Sequence, residues 1–181
     1  MPEKNSHCSY CGHPFAPDQP WPRTCAACMT RSYLGPTPVA AILVPVGAGL
    51  LTVRRAIEPR LGELSLPGGF VDLGESWQEA GAREVREETG AAIDAREIRD
   101  LCAISTAEGL VIIFGVAPPL AAAPILVPNA EVSELIVIAR AVPLAFAPET
   151  RVVAAYFARN VTPHEGVNKP SRGRRGQRAR E

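Results

Sequence analysis

Long uninterrupted hydrophobic runs are missing from this chain. One long apolar stretch without a charge, Leu110 to Pro128, has nineteen residues, about the length of a membrane span. Pro118, Pro119, Pro124 and Pro128 interrupt it. Each removes a backbone donor and crowds the turn before it, so the stretch predicts a strand followed by a proline-rich loop, and no membrane partner. No secretory leader is expected either: the first residues are polar and run at once into cysteines. The expected location is the cytoplasm. Excess charge of one sign is absent overall, with 19 basic and 19 acidic residues among 181. The balance is uneven, however. Residues 166–181 hold six basic side chains and one acid, leaving 13 basic and 18 acidic residues in the rest. An acidic body with a basic tail does not suggest a broad nucleic-acid surface and leaves the tail as the first place to expect such a contact. Internal repeats are absent as well.

Cysteine is scarce, and four of the five stand in the first 28 residues. Cys8 and Cys11 form one C-x2-C knuckle and Cys25 and Cys28 a second, thirteen residues on. That spacing predicts a tetrahedral thiolate site for structural Zn2+ in a zinc ribbon over residues 1–34. Phe15, Trp21 and Tyr33 are the main apolar residues there, too few for a core, so metal binding would supply the folding free energy. Two disulfides or a redox pair are the competing readings, and the expected compartment disfavours the disulfides. His7 and His13 flank the first knuckle as substitute ligands.

Residues 35–38 read as a linker. Val39 to Val46 and Leu50 to Arg55, separated by Gly47-Ala48-Gly49, predict a β-hairpin. Ile98 to Thr106 and Leu110 to Ala117 predict two more strands, with Cys102 in the first of them as a buried thiol. Val132 to Ala139 predicts another strand. Pro148-Glu149-Thr150 opens a last helix, about Thr150 to Arg159, with Val152, Val153, Tyr156 and Phe157 on its apolar face. The domain is expected over residues 39–160, followed by a disordered basic tail over 161–181.

The chemistry concentrates between Gly69 and Ala91. Ser76-Trp77-Gln78-Glu79 is a capping box, so a helix begins at about Trp77, and Gly90 is a natural stop. Trp77, Gly81 and Val85 share a face that packs on the sheet. Glu84, Glu87 and Glu88 stand at i, i+3 and i+4 on one face. They repel each other and sit near the helix C-terminus, where the dipole favours cations. Such conflict between local rules and sequence belongs to functional sites. A divalent cation removes both penalties, and clustered carboxylates suit Mg2+ or Mn2+.

The spacing resembles the Nudix box: Gly69, five residues, Glu75, seven residues, then Arg83-Glu84-Val85-Arg86-Glu87-Glu88-Thr89-Gly90-Ala91, with every fixed position filled. The resemblance implies an α/β fold, a Nudix α/β/α sandwich with a mixed sheet. It implies that Glu84, Glu87 and Glu88 ligate the metal with the Gly69 carbonyl, and that Glu75 and Arg83 hold loop and helix together. Arg83 can also pair with Glu79 and Glu87 along the helix. A further carboxylate before a late strand, Glu131 or Glu134, is implied as an extra ligand or base. The activity implied is hydrolysis of a nucleoside diphosphate linked to another group, with water attacking one phosphorus in line. A ribbon ahead of such a domain resembles NADH pyrophosphatases, but Ile98 to Leu110 lacks their S-Q-P-W-P-F-P-x-S motif. The short form is similar to ADP-ribose or FAD pyrophosphatases. A homodimer is compatible with the resemblance. The alternative function is a nucleotide-sensing module whose ribbon contacts nucleic acid or protein, but a sensor does not need the full carboxylate set.

Overall fold

The structure is a computed structural model, and it describes residues 4–126 and 129–160. The basic tail over 161–181, with the disorder expected of it, lies outside the described residues. No helix among the described residues is long and apolar enough to cross a membrane.

Two short strands, β1 (Arg23–Thr24) and β2 (Arg31–Ser32), pair antiparallel in the N-terminal segment. The body follows. β3 (Thr37–Val46) and β4 (Gly49–Arg55) form the expected hairpin, with Val46 paired to Gly49. β5 (Leu64–Ser65) and β6 (Gly68–Phe70) lead into α1 (Trp77–Thr89). β7 (Arg99–Ser105), β8 (Leu110–Val116) and β9 (Val132–Ile138) precede α2 (Ala147–Asn160).

The strand order is β5-β4-β3-β8-β7, with β6 added to β3 and β9 to β4. β3 runs parallel to β8 and antiparallel to its other partners, so the sheet is mixed. One edge of β3 is shared: Val39 to Ala41 pair with β6, and Val44 to Val46 pair with β4. The sheet therefore branches at β3, and the carboxylate cleft described below lies against that branch.

Side chains alternate across a strand with period two, and β3 uses both faces. Ala41 and Leu43 join Leu50, Phe114, Val152 and Val153 on the α2 side. Ile42 and Val44 join Leu51, Val85 and Ile98 on the α1 side. Ala40 to Val44 are all buried, which makes this strand the centre of the α/β/α sandwich. Truncating Leu43 to Ala here would cost about 2–5 kcal/mol. Gly81 explains how closely α1 seats: a Cβ there would stand 2.5 Å from Ile42 Cδ1. Trp77 packs into the same layer, against Gly115, as a core residue.

Two expectations are corrected. Cys102 is exposed, not buried. β7 is an edge strand, and a bulge between Asp100 and Cys102 leaves Leu101 and Ile104 as its partly buried positions while Cys102 and Ala103 are exposed. An edge strand with a bulge does not keep simple alternation. The last helix also starts three residues earlier than expected, at Ala147, with Pro148 tolerated in its first turn.

Candidate active site

Ser76 makes both bonds of the capping box. Its hydroxyl accepts Glu79 N–H at 3.2 Å, and its own N–H donates to Glu79 Oε2 at 2.7 Å. Gly90 closes α1 in the left-handed region at φ 77° and donates to Arg86 O. The helix length is thus set locally, and the carboxylates ride on its last two turns.

Arg83 is the hub that orients them. Its Nη2 donates to Glu75 Oε1 at 2.7 Å and to the Phe70 carbonyl at 3.0 Å. Its Nη1 donates to Glu84 at 2.7 Å and to Glu87 at 3.3 Å. The i, i+4 pair with Glu87 forms as expected, while Glu79 is given to its cap. One guanidinium fork so joins the β6 end, the loop before α1 and two of its glutamates. The Arg83 side-chain bonds, with the Asp72 N–H, hold the Glu75 carboxyl below its usual range. Burial pushes the Glu84 carboxyl up despite Arg83. Burial pushes Glu88 up to about 8, although it accepts Gly68 N–H at 3.0 Å.

These side chains face a cleft of about 530 Å³, a volume suited to a small ligand. Gly69, Glu84, Glu88 and Glu131 line it together, with Arg83 on its wall. Glu75 stands behind Arg83. Glu87 is outside the lining, half-exposed, with its carboxylate turned to Arg83 and its carbonyl accepting from Asn129. Glu134 is elsewhere, paired with Arg54 at 2.7 Å. Of the two late carboxylates, only Glu131 therefore reaches the cleft. A more open groove of about 330 Å³ follows the outer side of α1 and holds none of the buried carboxylates.

Three charged lining residues escaped sequence reasoning: Arg55, Asp72 and Glu149. Glu149 on α2 is 6% exposed, and burial pushes its carboxyl up to about 8. Arg55 at the end of β4 lies over the Phe146 ring, 5.3 Å from its centroid, with Nε on the Pro59 carbonyl. A glutamate in a first helical turn is an ordinary dipole partner, so nothing in the sequence distinguished Glu149.

The donor set fits a hard divalent cation. The described lining has five acidic and two basic residues, and one of the two cations, Arg83, is already committed to carboxylates. A Cβ on Gly69 would collide with the Glu84 carboxylate, so only glycine lets this backbone come so close to it. Crowded carboxylate oxygens without matching cations suit Mg2+ or Mn2+.

A separate cluster forms in the N-terminal segment. The sulfurs of Cys8, Cys11, Cys25 and Cys28 all lie within 4.8 Å of one another. Cys8 to Cys28 is 3.8 Å and Cys11 to Cys25 is 3.5 Å. A tetrahedral zinc tetrathiolate with Zn–S near 2.3 Å requires S–S edges of about 3.8 Å. None of the four is in a disulfide. The Thr30 hydroxyl and backbone N–H hold the Cys28 thiol down at about 6, which favours the thiolate a metal needs.

Residues 36–157 match the family model of the NUDIX domain. Among curated proteins, the NAD-capped RNA hydrolase NudC of Salmonella heidelberg (strain SL476) is 34% identical over 87 residues, covering 48% of this chain and 34% of that protein. The NAD-capped RNA hydrolase NudC of Edwardsiella ictaluri (strain 93-146) is 35% identical over 88 residues, with the same shares of 48% and 34%. The similarity thus spans about a third of the length of these relatives. Among solved structures, a NUDIX hydrolase from Nitrosomonas europaea superposes with a TM-score of 0.70 at 23% identity, covering 86% of this chain and 92% of the other. The NUDIX domain of Shewanella oneidensis NrtR, complexed with ADP ribose, gives 0.59 at 23% identity, covering 70% and 88%. At that identity both are likenesses of fold.

Proposed function

Because the chain belongs to the NUDIX family, we propose that it is a Mg2+- or Mn2+-dependent pyrophosphohydrolase of a nucleoside diphosphate linked to a second group. The observation that carries this reading is the cleft in which Glu84, Glu88 and Glu131 converge beside Gly69. Bound there, the divalent cation would neutralise charge on the phosphate oxygens. Glu84 and Glu88 would hold it with the Gly69 carbonyl, and Glu87, outside the lining beside Arg83, would join from the edge of the cleft. Arg83 keeps Glu84 and Glu87 in place, and the Gly68 N–H fixes one oxygen of Glu88. Glu131, at the other wall, serves as a further ligand or takes the proton of the attacking water. Most of the barrier reduction comes from positioning and charge neutralisation.

Within this class the favoured substrates are ADP-ribose and dinucleotides such as FAD or NADH. Support comes from relatives named as NAD-capped RNA hydrolases and from a cleft large enough for part of a dinucleotide. Against NADH stands the missing proline- and tryptophan-rich motif after the box. We further assign a structural zinc to the four thiols. The test is an assay of ADP-ribose, FAD, NADH and nucleoside triphosphates with Mg2+ or Mn2+, identifying the phosphorus-containing products. Tight binding of one of them without turnover of any would overturn the enzyme reading in favour of a sensor.

A further inference from the structure

The two helices each send a buried carboxylate to one short piece of chain. Glu88 of α1 accepts Gly68 N–H at 3.0 Å, and Glu149 of α2 accepts Leu66 N–H at 3.4 Å. These amides are two residues apart where the chain passes from β5 into β6, a stretch that Ile42 N–H holds against β3 through the Pro67 carbonyl. In each carboxylate Oε2 makes the bond, and Oε1 accepts no hydrogen bond among the described residues. Both side chains line the same cleft. Both residues are more than nine-tenths buried, at 7% and 6% exposure.

A structural tie does not account for Glu149. A glutamine would accept the Leu66 N–H equally well without burying a group whose charged form is costly there. Nor does a cation among the described residues form an ion pair with it. Arg55 is close enough to act on both carboxylates, but its Nε is bonded to Pro59 and its face to Phe146. No hydrogen bond joins it to either glutamate among the described residues. What remains is a pair of buried carboxylates, each with one free oxygen, at the inner end of a cleft already short of positive charge.

We propose that Glu149 is an additional ligand of the divalent-cation cluster and that it holds, together with Glu88, a cation at the inner end of the cleft. This rests on reading the cleft as a metal site, and it adds a ligand from α2 to a set otherwise drawn from α1, Gly69 and Glu131.

The experiment is Mn2+ titration of the full, zinc-loaded chain without nucleotide, followed by electron paramagnetic resonance and calorimetry. Glu149→Gln should bind one Mn2+ fewer per chain, or bind one of them about tenfold or more weakly, the scale of losing a ligand or its close support. Its metal-free Tm should equal or exceed that of the unmodified chain, and the Tm rise on adding Mn2+ should shrink. Wild-type Mn2+ stoichiometry and affinity in Glu149→Gln would overturn the proposal. So would a loss of metal-free stability or a failure to fold, because both would mark a structural tie. Glu88→Gln separates the two levels. If it also binds Mn2+ like the unmodified chain, the cleft is not the metal site and the proposed function falls with it. If it loses Mn2+ while Glu149→Gln does not, only the role of Glu149 fails.

Discussion

The N-terminal segment closes around four thiols, with Cys8, Phe15 and Cys25 as its buried core among the described residues and Trp21 and Cys28 packed against them. The carboxylate cleft, by contrast, is cut into a body that has two separate hydrophobic clusters, one on each face of the sheet. Both regions gather ligand atoms of negative charge. In the first, the proposed ligands are the core, and metal binding would be folding. In the second, the core stands without them, and the buried carboxylates subtract from stability in exchange for a site. Metal should therefore act on structure in one region and on rate in the other.

The sharpest way to break that contrast is Glu88→Gln. Turnover of the preferred nucleotide should fall about a hundredfold or more, the scale of losing one essential charged group. Metal-free Tm should stay level near neutral pH and rise above about pH 8, because an amide that still accepts Gly68 N–H replaces a buried carboxyl that ionises there. Combining it with Glu87→Gln should add little, since the residues act through one bound group. If activity is unchanged in both single variants, the carboxylates are a surface feature and the contrast fails.

Zinc is the converse probe. Elemental analysis should find about one zinc per chain, as for one tetrathiolate site, and none in Cys25→Ser. That variant should lose the packing of Trp21, read as a fluorescence change, while the main melting transition stays within a few degrees. Collapse of the whole body on zinc loss would show that the two regions are one cooperative unit.

Acid–base behaviour gives a smaller effect. Glu88 and Glu149 titrate at about 8 in the fold, above the unfolded carboxylate range near 4.3. Between these limits the folded chain binds more protons than the unfolded one. Metal-free stability from these two groups is thus fully present at low pH and is lost as pH rises towards 8. Urea titrations in a chelator at pH 5, 6.5 and 8 should show the decline. Saturating Mn2+ should flatten or reverse it, with protons released on binding. A metal-free profile that rises through this window would mean that the two carboxyls are charged in the fold.

The smallest effect belongs to Glu79→Gln. Its carboxylate accepts from Ser76 N–H and hydroxyl, outside the cleft. Tm should drop by a few degrees at most through a weaker capping box, with turnover within about twofold of the unmodified chain. A large rate loss would place the helix start inside the chemistry.

Spacing along the chain determined α1 almost entirely: the Ser76 cap, the Gly90 stop, the face of Trp77, Gly81 and Val85, and the placing of Glu84, Glu87 and Glu88 on one side. These are i, i+3 and i+4 relations, decided within a turn or two of the residues concerned. The paired cysteine knuckles and the β3–β4 hairpin were legible for the same reason. Tertiary structure alone decided which carboxylates share the cleft. The irregular register of β9 on β4 sets Glu134 against Arg54, while Glu131, three residues earlier, lines the site. The docking of α2 on the sheet carries Glu149 to within a hydrogen bond of Leu66, and the bulge in β7 turns Cys102 outward. Each of these outcomes depends on contacts between segments far apart in the chain, where one residue of register moves a side chain to the opposite face.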